Sequence, residues 1–231
     1  MTEADPTEGS EPGPTEWITG IAGPHAVGLG PWAEEFDGPP PTDPKYDREL
    51  LEQGDRRNVV DAYRYWTREA IVDDLDSRRH PFEVAIENLG HDANIGTVVR
   101  TANAFGARAV HIIGRRRWNR RGAMVTDRYQ HLVHHPDAEA FAAWCAEREL
   151  PIVAVDNQPG SVPLERACLP RRCALLFGQE GPGVSGDARQ IAGITVSIAQ
   201  FGSTRSINVG VAAGIAMHAW VREHADLDAA W

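Results

Sequence analysis

The sequence predicts an α/β fold, a mostly parallel sheet with helices on both faces. Three observations carry that expectation. Short, largely apolar runs such as "RAVHIIG", "PIVAVDN" and "CALLFG" have strand length and lack the polar alternation of a half-solvated strand. Helix-length segments with apolar residues at a 3.6-residue period lie between them. The two kinds alternate from Pro81 to His224, the order that a parallel sheet with crossover helices requires.

Taken in order, residues 1–45 form a Pro/Gly-rich acidic segment with nine prolines and seven glycines, a composition that rarely builds a core. Trp17, Ile18, Trp32 and Phe36 are its candidates for docking elsewhere. Residues 46–79 read as a helical extension. A helix is predicted from Asn58, its cap, with Val59, Tyr63, Trp66 and Ala70 along one side. Residues 80–225 are the body. "FEVAIENL" is its first strand. "NIGTVVRTANAFGA" is a helix with Ile95, Val98, Val99 and Ala102 on one stripe, stopped by Gly106. "RAVHIIG" follows as a strand. "DAEAFAAWCAEREL" is a helix capped by Asp137 behind Pro136. "PIVAVDN" and "CALLFG" are buried strands, "GDARQIA" a short helix and "ITVSIAQFG" a strand. "INVGVAAGIAMHAWVREH" is a final, buried helix. Residues 226–231 are a tail.

The net charge of −10 argues against a nucleic-acid partner until its distribution is read. Residues 1–79 carry 18 acidic and 8 basic side chains, whereas residues 80–225 carry 13 and 15. The body is thus mildly basic, and its cations are all arginine, whose planar fork suits phosphate. No apolar run reaches the roughly 18 residues of a membrane span, and the first residues show neither the basic start nor the apolar stretch of a secretion signal. Cys145, Cys168 and Cys173 form no CxxC pair and read as reduced thiols. A cytoplasmic protein with no membrane partner is expected.

Ligands in such sheets sit beyond the carboxyl ends of the strands. Three loops stand there: "NLGHDANIG", "FGQEGPGVS" and "QFGSTRSIN". Each combines glycine, which admits close approach to backbone groups, with hydrogen-bonding side chains. The second is not a dinucleotide fingerprint, because "GQEGPG" lacks the GxGxxG spacing and contains Pro182.

In order, "NIGTVVRTANAFGA", "ALLFGQEGPGVS" and "VSIAQFGSTRSINVGVAAGIAMHAW" resemble the three signature motifs of the SpoU/TrmH branch of the SPOUT RNA methyltransferases, over about residues 82–222. The resemblance implies transfer of a methyl group from S-adenosylmethionine to a ribose 2′-hydroxyl of RNA, with tRNA ahead of rRNA. It also implies a homodimer and a C-terminal trefoil knot, which periodicity does not predict. The family's functional positions fall on Asn94, Arg100, Glu180, Ser206 and Asn208. The cofactor site implied is Phe177, Gly178, Glu180, Gly181, Ile198, Gln200, Gly202, Ser206 and Ile207, acting mainly through backbone. The match does not extend through residues 1–79.

Arg100 lies roughly 160° around its helix from the apolar stripe, so it is free to face a substrate. The family assigns it the role of proton acceptor. A guanidinium stays protonated below pH about 12, so binding the adjacent phosphate and stabilising a developing alkoxide is the better role, with the proton passing to a phosphate oxygen or water. Asn94 is expected to orient Arg100 or the ribose, to cap its helix, or both. Glu180 is expected to hold a backbone amide or the cofactor amino group. "RRRWNRR" offers Arg115, Arg116, Arg117, Arg120 and Arg121 for phosphates and Trp118 for a base; the alternative is a solvated charge run. "HLVHH", His131 to His135, lacks a carboxylate or cysteine at ligand spacing, so no metal is expected. His218, within the last helix, reads as a packed core or interface residue rather than a catalyst. Two other readings share the fold: a non-catalytic RNA-binding dimer, and a base-nitrogen RNA methyltransferase, which needs a carboxylate beside the target atom.

Overall fold

The computed structural model describes residues 28–90 and 92–229; Trp17 and Ile18 lie outside them. The chain divides into a unit ending at Thr67 and another beginning at Arg68.

The first unit holds two short helices, α1 (Trp32–Glu35) and α2 (Arg48–Gln53), and a 3-10 turn at Asp61–Tyr63. Its centre is the buried Asp55. One carboxylate oxygen accepts from the Arg57 amide at 3.0 Å and from Arg57 Nε at 2.9 Å; the other accepts from the guanidinium at 2.7 Å and from the Tyr65 amide at 2.9 Å. Burial opposes the charge on Asp55, but these donors outweigh it and hold its pKa below the ordinary value. Here the expectation of a helix from Asn58 fails. Tyr65 takes a φ of 62°, its ring meets Trp32 and Phe36, and its hydroxyl donates to Gly30 O at 2.7 Å. Residues 58–66 therefore wrap Asp55, and the helix, α3 (Arg68–Arg78), starts ten residues late.

The second unit follows the predicted alternation. β1 (Glu83–Asn88), α4 (Ile95–Ala104) and β2 (Val110–Gly114) match their sequence signals, and Gly106 supplies the left-handed φ of 62° that ends the α4 turn. β3 (Leu132–His135) is a strand that the sequence did not announce, made from the "HLVHH" stretch. α5 (Ala138–Glu147) is capped by Asp137, which accepts from the Ala140 amide at 2.8 Å. β4 (Ile152–Val155), the two-residue β5 (Val162–Pro163), β6 (Ala174–Phe177), α6 (Gly186–Gln190), β7 (Ile194–Ser197) and α7 (Val209–His224) complete it. Ser197 ends β7, so Ile198, Ala199 and Gln200 belong to the loop rather than the strand.

All strand pairings are parallel, in the order β3-β2-β1-β6-β4-β7-β5. The proline-bearing β5 sits at an edge, where its missing donor costs least. The two-residue side-chain period sorts the core. Val84, Ile86, Val153, Leu175 and Phe177 face α4 and α7; Ala85, Ile152, Ala174 and Leu176 face α5 and α6. Trp220 of α7 is fully buried against Phe82 at 4.5 Å, and its Nε1 donates to Arg171 O at 3.1 Å. The run in α7 is not wholly buried, however: Val211 and Ile215 are exposed. Among the described residues, no helix is long and apolar enough to cross a membrane.

The histidines of "HLVHH" go to separate partners. His131 bonds Asp76, His134 bonds Gly114 O, and His135 Nε2 lies 2.9 Å from His111 Nδ1. His111 Nε2 in turn lies 2.6 Å from the buried Glu83 carboxylate. Burial, reinforced by His111, His134 and Arg148, pushes the His135 pKa down to about 4 against the opposing pull of Asp137. The unfolded chain therefore takes up a proton at His135 before the folded chain does. Stability should fall as pH drops from about 6.5 toward about 4. The denaturation midpoint of a His135→Gln variant, which keeps a donor, should fall less steeply over that window; identical slopes would exclude His135 as the group responsible.

Candidate active site

The loops beyond β4, β6 and β7 enclose a cleft of about 440 Å³, within the size range of small-ligand sites. Parallel register sets its floor: Val155 stands level with Phe177, and Phe177 with Ile86. The loop after β6 doubles back on itself, with Gln179 and Gly183 exchanging amide–carbonyl bonds of 3.0 and 3.1 Å. That turn demands glycine. A Cβ on Gly178 would fall inside the backbone of Gly183 and Val184, and Gly181 and Gly183 adopt φ of 94° and 74°. Asp156 Oδ2 accepts from the Val184 amide at 3.2 Å and so anchors the far side of the turn. Buried Glu87 fixes the start of α6 by accepting from the Ser185 amide at 2.8 Å.

Phe177, Gly178, Glu180, Gly181, Ile198, Gln200, Ser206 and Ile207 all line the cleft. Gly202 is not in that lining; a Cβ there would meet open space. The cleft also takes Asp156, Asn157 and Gln158 from the turn after β4, and Arg205, residues that the sequence reading did not single out. Asn157 Nδ2 donates to Arg205 O at 3.2 Å and ties that turn to the loop after β7. The available signal was "DNQPG", a fourth polar, glycine-bearing turn at the end of a buried strand. Gln200 Oε1 is buried without a hydrogen-bond partner among the described residues.

At the lip of the cleft, three side chains remote in sequence close a triangle. Asn94 Nδ2 donates to Glu180 Oε2 at 2.8 Å. Asn208 Nδ2 donates to Asn94 Oδ1 at 3.0 Å and to Glu180 Oε1 at 3.1 Å. The direction of the Asn208 amide is set by α7, because its Oδ1 accepts from the Gly210 and Val211 amides at 2.9 and 3.3 Å. Asn94 also precedes a helix, but its side chain makes no cap bond to α4. Glu180 bonds two side-chain amides here rather than a backbone amide, the first of the two partners anticipated from the sequence, the other being the cofactor amino group. Ser206 is exposed and lines the same cleft. Arg100 is exposed on α4, opposite the buried stripe, and bonds no acidic partner among the described residues.

The arginine cluster leaves the carboxyl end of β2. Asn88 Nδ2 donates to Arg115 O and Arg117 O at 2.6 and 3.0 Å, and Arg115 donates to Gly90 O at 3.1 Å. Arg120 pairs with Asp127 at 3.0 Å. Arg116, Arg117 and Arg121 are exposed and make no ion pair among the described residues. Trp118 is half-buried, packed in part against the main core cluster, with Arg120 over its ring at 5.5 Å. His218 of α7 is exposed rather than packed in the core; its ring centroid lies 6.1 Å from that of Phe105, and it lines a separate hollow of about 380 Å³.

Residues 81–218 match the SpoU rRNA Methylase family. Among curated proteins, the chain is 26% identical over 147 residues to a tRNA (guanosine(18)-2′-O)-methyltransferase of Borreliella burgdorferi, covering 62% of this chain and 67% of that one. Among solved structures, it is 25% identical to the SpoU methyltransferase AviRb from Streptomyces viridochromogenes in complex with AdoMet, with a TM-score of 0.58 over 65% of this chain and 60% of that chain. The chain thus spans about three fifths of AviRb. A TrmH/SpoU tRNA modifying enzyme from A. aeolicus shares the fold, with a TM-score of 0.60 at 22% identity over 68% of this chain and 81% of that chain.

The two asparagines of the triangle should separate in stability measurements. Asn208→Ala removes a helix cap and should cost about 1 kcal/mol. Asn94→Ala removes no cap and should cost a few tenths of that. Urea unfolding of both variants checks the difference; equal losses would mean that the cap bond of Asn208 contributes nothing measurable.

Proposed function

Because the chain belongs to the SpoU rRNA methylase family, we propose that it is an S-adenosylmethionine-dependent methyltransferase acting on a ribose 2′-hydroxyl of RNA. The triangle of Asn94, Glu180 and Asn208 carries this reading. A methyltransferase working on a ring nitrogen needs a free carboxylate near the target. Here each Glu180 oxygen already accepts an asparagine N–H, so the only carboxylate of the triangle is committed to holding other groups. Both N–H groups of Asn208 are used. One N–H of Asn94, the remaining lone pairs of Glu180 and the Ser206 hydroxyl are left to orient a ribose.

The cleft suits the cofactor. Phe177, Ile198 and Ile207 give it an apolar wall, and the buried, unpartnered Gln200 Oε1 is an acceptor in need of an N–H. Gly178 and Gly181 line the cleft with backbone groups that no side chain covers. When bound, S-adenosylmethionine supplies an electrophilic methyl group. The work of the protein is then alignment. Asn94 and Glu180, held in direction by Asn208, orient the ribose, and Ser206 bonds at the cleft lip. Arg100, a permanent cation, binds the phosphate beside the target and stabilises the 2′-oxygen as its proton passes to a phosphate oxygen or water. Arg116, Arg117 and Arg121 supply further phosphate contacts, supported by Arg115 and Arg120.

The same reading includes a homodimer and the trefoil-knotted C-terminal half. The dimer is supported by apolar groups left uncovered: Val211 at 55% exposure, Ile215 at 39% and Phe201 at 98%. We place tRNA ahead of rRNA as substrate, following the name of the Borreliella burgdorferi relative. A cytoplasmic location agrees with three free cysteines, of which Cys145 and Cys173 have pKa values pushed up to about 12 by burial.

Arg100→Ala should reduce methyl transfer by at least about 100-fold, the scale of losing one charge-stabilising group, while calorimetric binding of S-adenosylmethionine persists. The product should appear as a gap in an alkaline ladder of the RNA, since a 2′-O-methyl group removes the nucleophile that alkali uses. Mass spectrometry finding a methylated base on an unmodified ribose would overturn the assignment.

A further inference from the structure

Between the arginine cluster and β3, the chain exposes two adjacent apolar side chains. Met124 is 51% exposed and Val125 49%. Both adopt left-handed backbone, with φ of 48° and 71°. That region is uncommon for any residue but glycine, and for a β-branched valine it is an outlier. The neighbours hold them there. Met124 N donates to Arg121 O at 3.2 Å, Arg128 N to Val125 O at 3.1 Å, and the buried Thr126 hydroxyl to Ala123 O at 2.6 Å. Ala123 and Thr126, on either side, are buried. The tip is therefore a rigid, exposed apolar step between two anchors.

Its position is fixed against the candidate active site. The 3-10 turn Arg120–Ala123 lies on the first turn of α4. A Cβ on Gly96 would come 2.6 Å from Ala123 N and 2.8 Å from Gly122 Cα, so the two backbones touch directly. Gly96 is two residues from Asn94 of the triangle. The Asn119 amide donates to Asp92 Oδ2 at 2.8 Å, a second tie to the same loop. In the same loop, Arg116, Arg117, Arg121 and Arg128 are exposed and without an ion-pair partner among the described residues. A loop that carries an apolar step and unpaired cations complements a polyanion with apolar faces, which is a strand of RNA with unstacked bases. Trp118, the aromatic residue of the cluster, is half-buried against the core, so the exposed apolar side chains of this loop are Met124 and Val125.

We propose that Met124 and Val125 form an apolar wedge that packs against a nucleobase beside the target ribose, while the arginines of the same loop hold the backbone. The proposal rests on the RNA methyltransferase reading. The wedge displaces stacking next to the target and so helps present its 2′-hydroxyl to Asn94 and Arg100. Its rigidity matters, because a base contact made by a pre-set backbone loses little freedom on binding.

The test compares the full-length chain with two variants, Met124→Ser/Val125→Gly and Arg116→Gln/Arg117→Gln. Probes are a short single-stranded RNA and an abasic ribose-phosphate strand of the same length, titrated by fluorescence anisotropy over a salt series. The wild type should prefer the strand with bases by roughly five-fold, the scale of one apolar base contact. The wedge variant should lose that preference, keep its salt slope, and melt no lower than wild type, because glycine relieves the strain at position 125. The arginine variant should keep the preference and lose slope. Methyl transfer to unmodified tRNA and rRNA transcripts is read in parallel, with Met124→Ala as a milder variant should the double variant melt lower. A wedge variant that retains base preference and normal transfer would overturn the wedge alone. A wild type that binds S-adenosylmethionine but neither strand, and methylates no transcript, would overturn the RNA reading and the wedge with it.

Discussion

The lip of the cleft depends on the direction of one side-chain amide, that of Asn208. Its oxygen is claimed by the first amides of α7, at 2.9 and 3.3 Å. An amide is planar, so fixing the oxygen aims both N–H bonds the other way. They meet Asn94 and Glu180. The orientation of a polar site is thus inherited from a helix start, and α7 is itself fixed by the buried Ala213, Ala216, Met217 and Trp220. Helix packing, capping and site geometry form one chain of cause. Glu180 cannot turn away without leaving two amides short of an acceptor, nor can Asn94 rotate without breaking both of its contacts. Exposure at the lip keeps each bond modest in energy, so the value of the triangle lies in defining direction.

The glycine contacts carry a second constraint. Gly178 lies so close to Gly183 and Val184 that no side chain fits, and Gly96 does the same toward Ala123. The first closes the turn that bears Glu180. The second presses the arginine-bearing loop onto the helix that bears Asn94. Both contacts put backbone against backbone, which leaves fewer ways for the loops to shift than side-chain packing does. Rigid loops at the carboxyl ends of strands are what an alignment-driven reaction asks for.

Much of the body was legible in the sequence, because its signals are local. The stripe Ile95, Val98, Val99, Ala102, the Asp137 cap and the Gly106 stop each act within a few residues. The helix from Asn58 failed for the opposite reason. Helical spacing of Val59, Tyr63 and Trp66 is a weak prior, and a buried carboxylate ten residues before Tyr65 overrode it. "HLVHH" was read for its histidines and not as an edge strand, since a four-residue strand has too few positions to show alternation. In the candidate site, the implied cofactor positions other than Gly202 line the cleft and Asn94 bonds Glu180 and Asn208 at its lip, Arg100 lies outside that lining on α4, and Asp156 and Asn157 belong to it. Those two act through Val184 N and Arg205 O, partners that no local pattern names. The fate of Trp118 was equally hidden. Whether an aromatic beside arginines faces a base or the core depends on a helix that arrives from elsewhere in the chain.

Charge follows the same division between local and distant. A net −10 would repel RNA if it were spread evenly, but the acidity is concentrated before residue 80. Screening confines each charge to roughly 10 Å at ordinary ionic strength, so an approaching phosphate responds to the arginines nearest it rather than to the sum. Near the arginine loop those are Arg116, Arg117, Arg121 and Arg128, while Asp127 is taken by Arg120. Pairing inside the loop thereby removes its one carboxylate from the local balance and leaves the unpaired arginines to set the sign. The sequence total thus describes solubility, and the local remainder after pairing describes the partner.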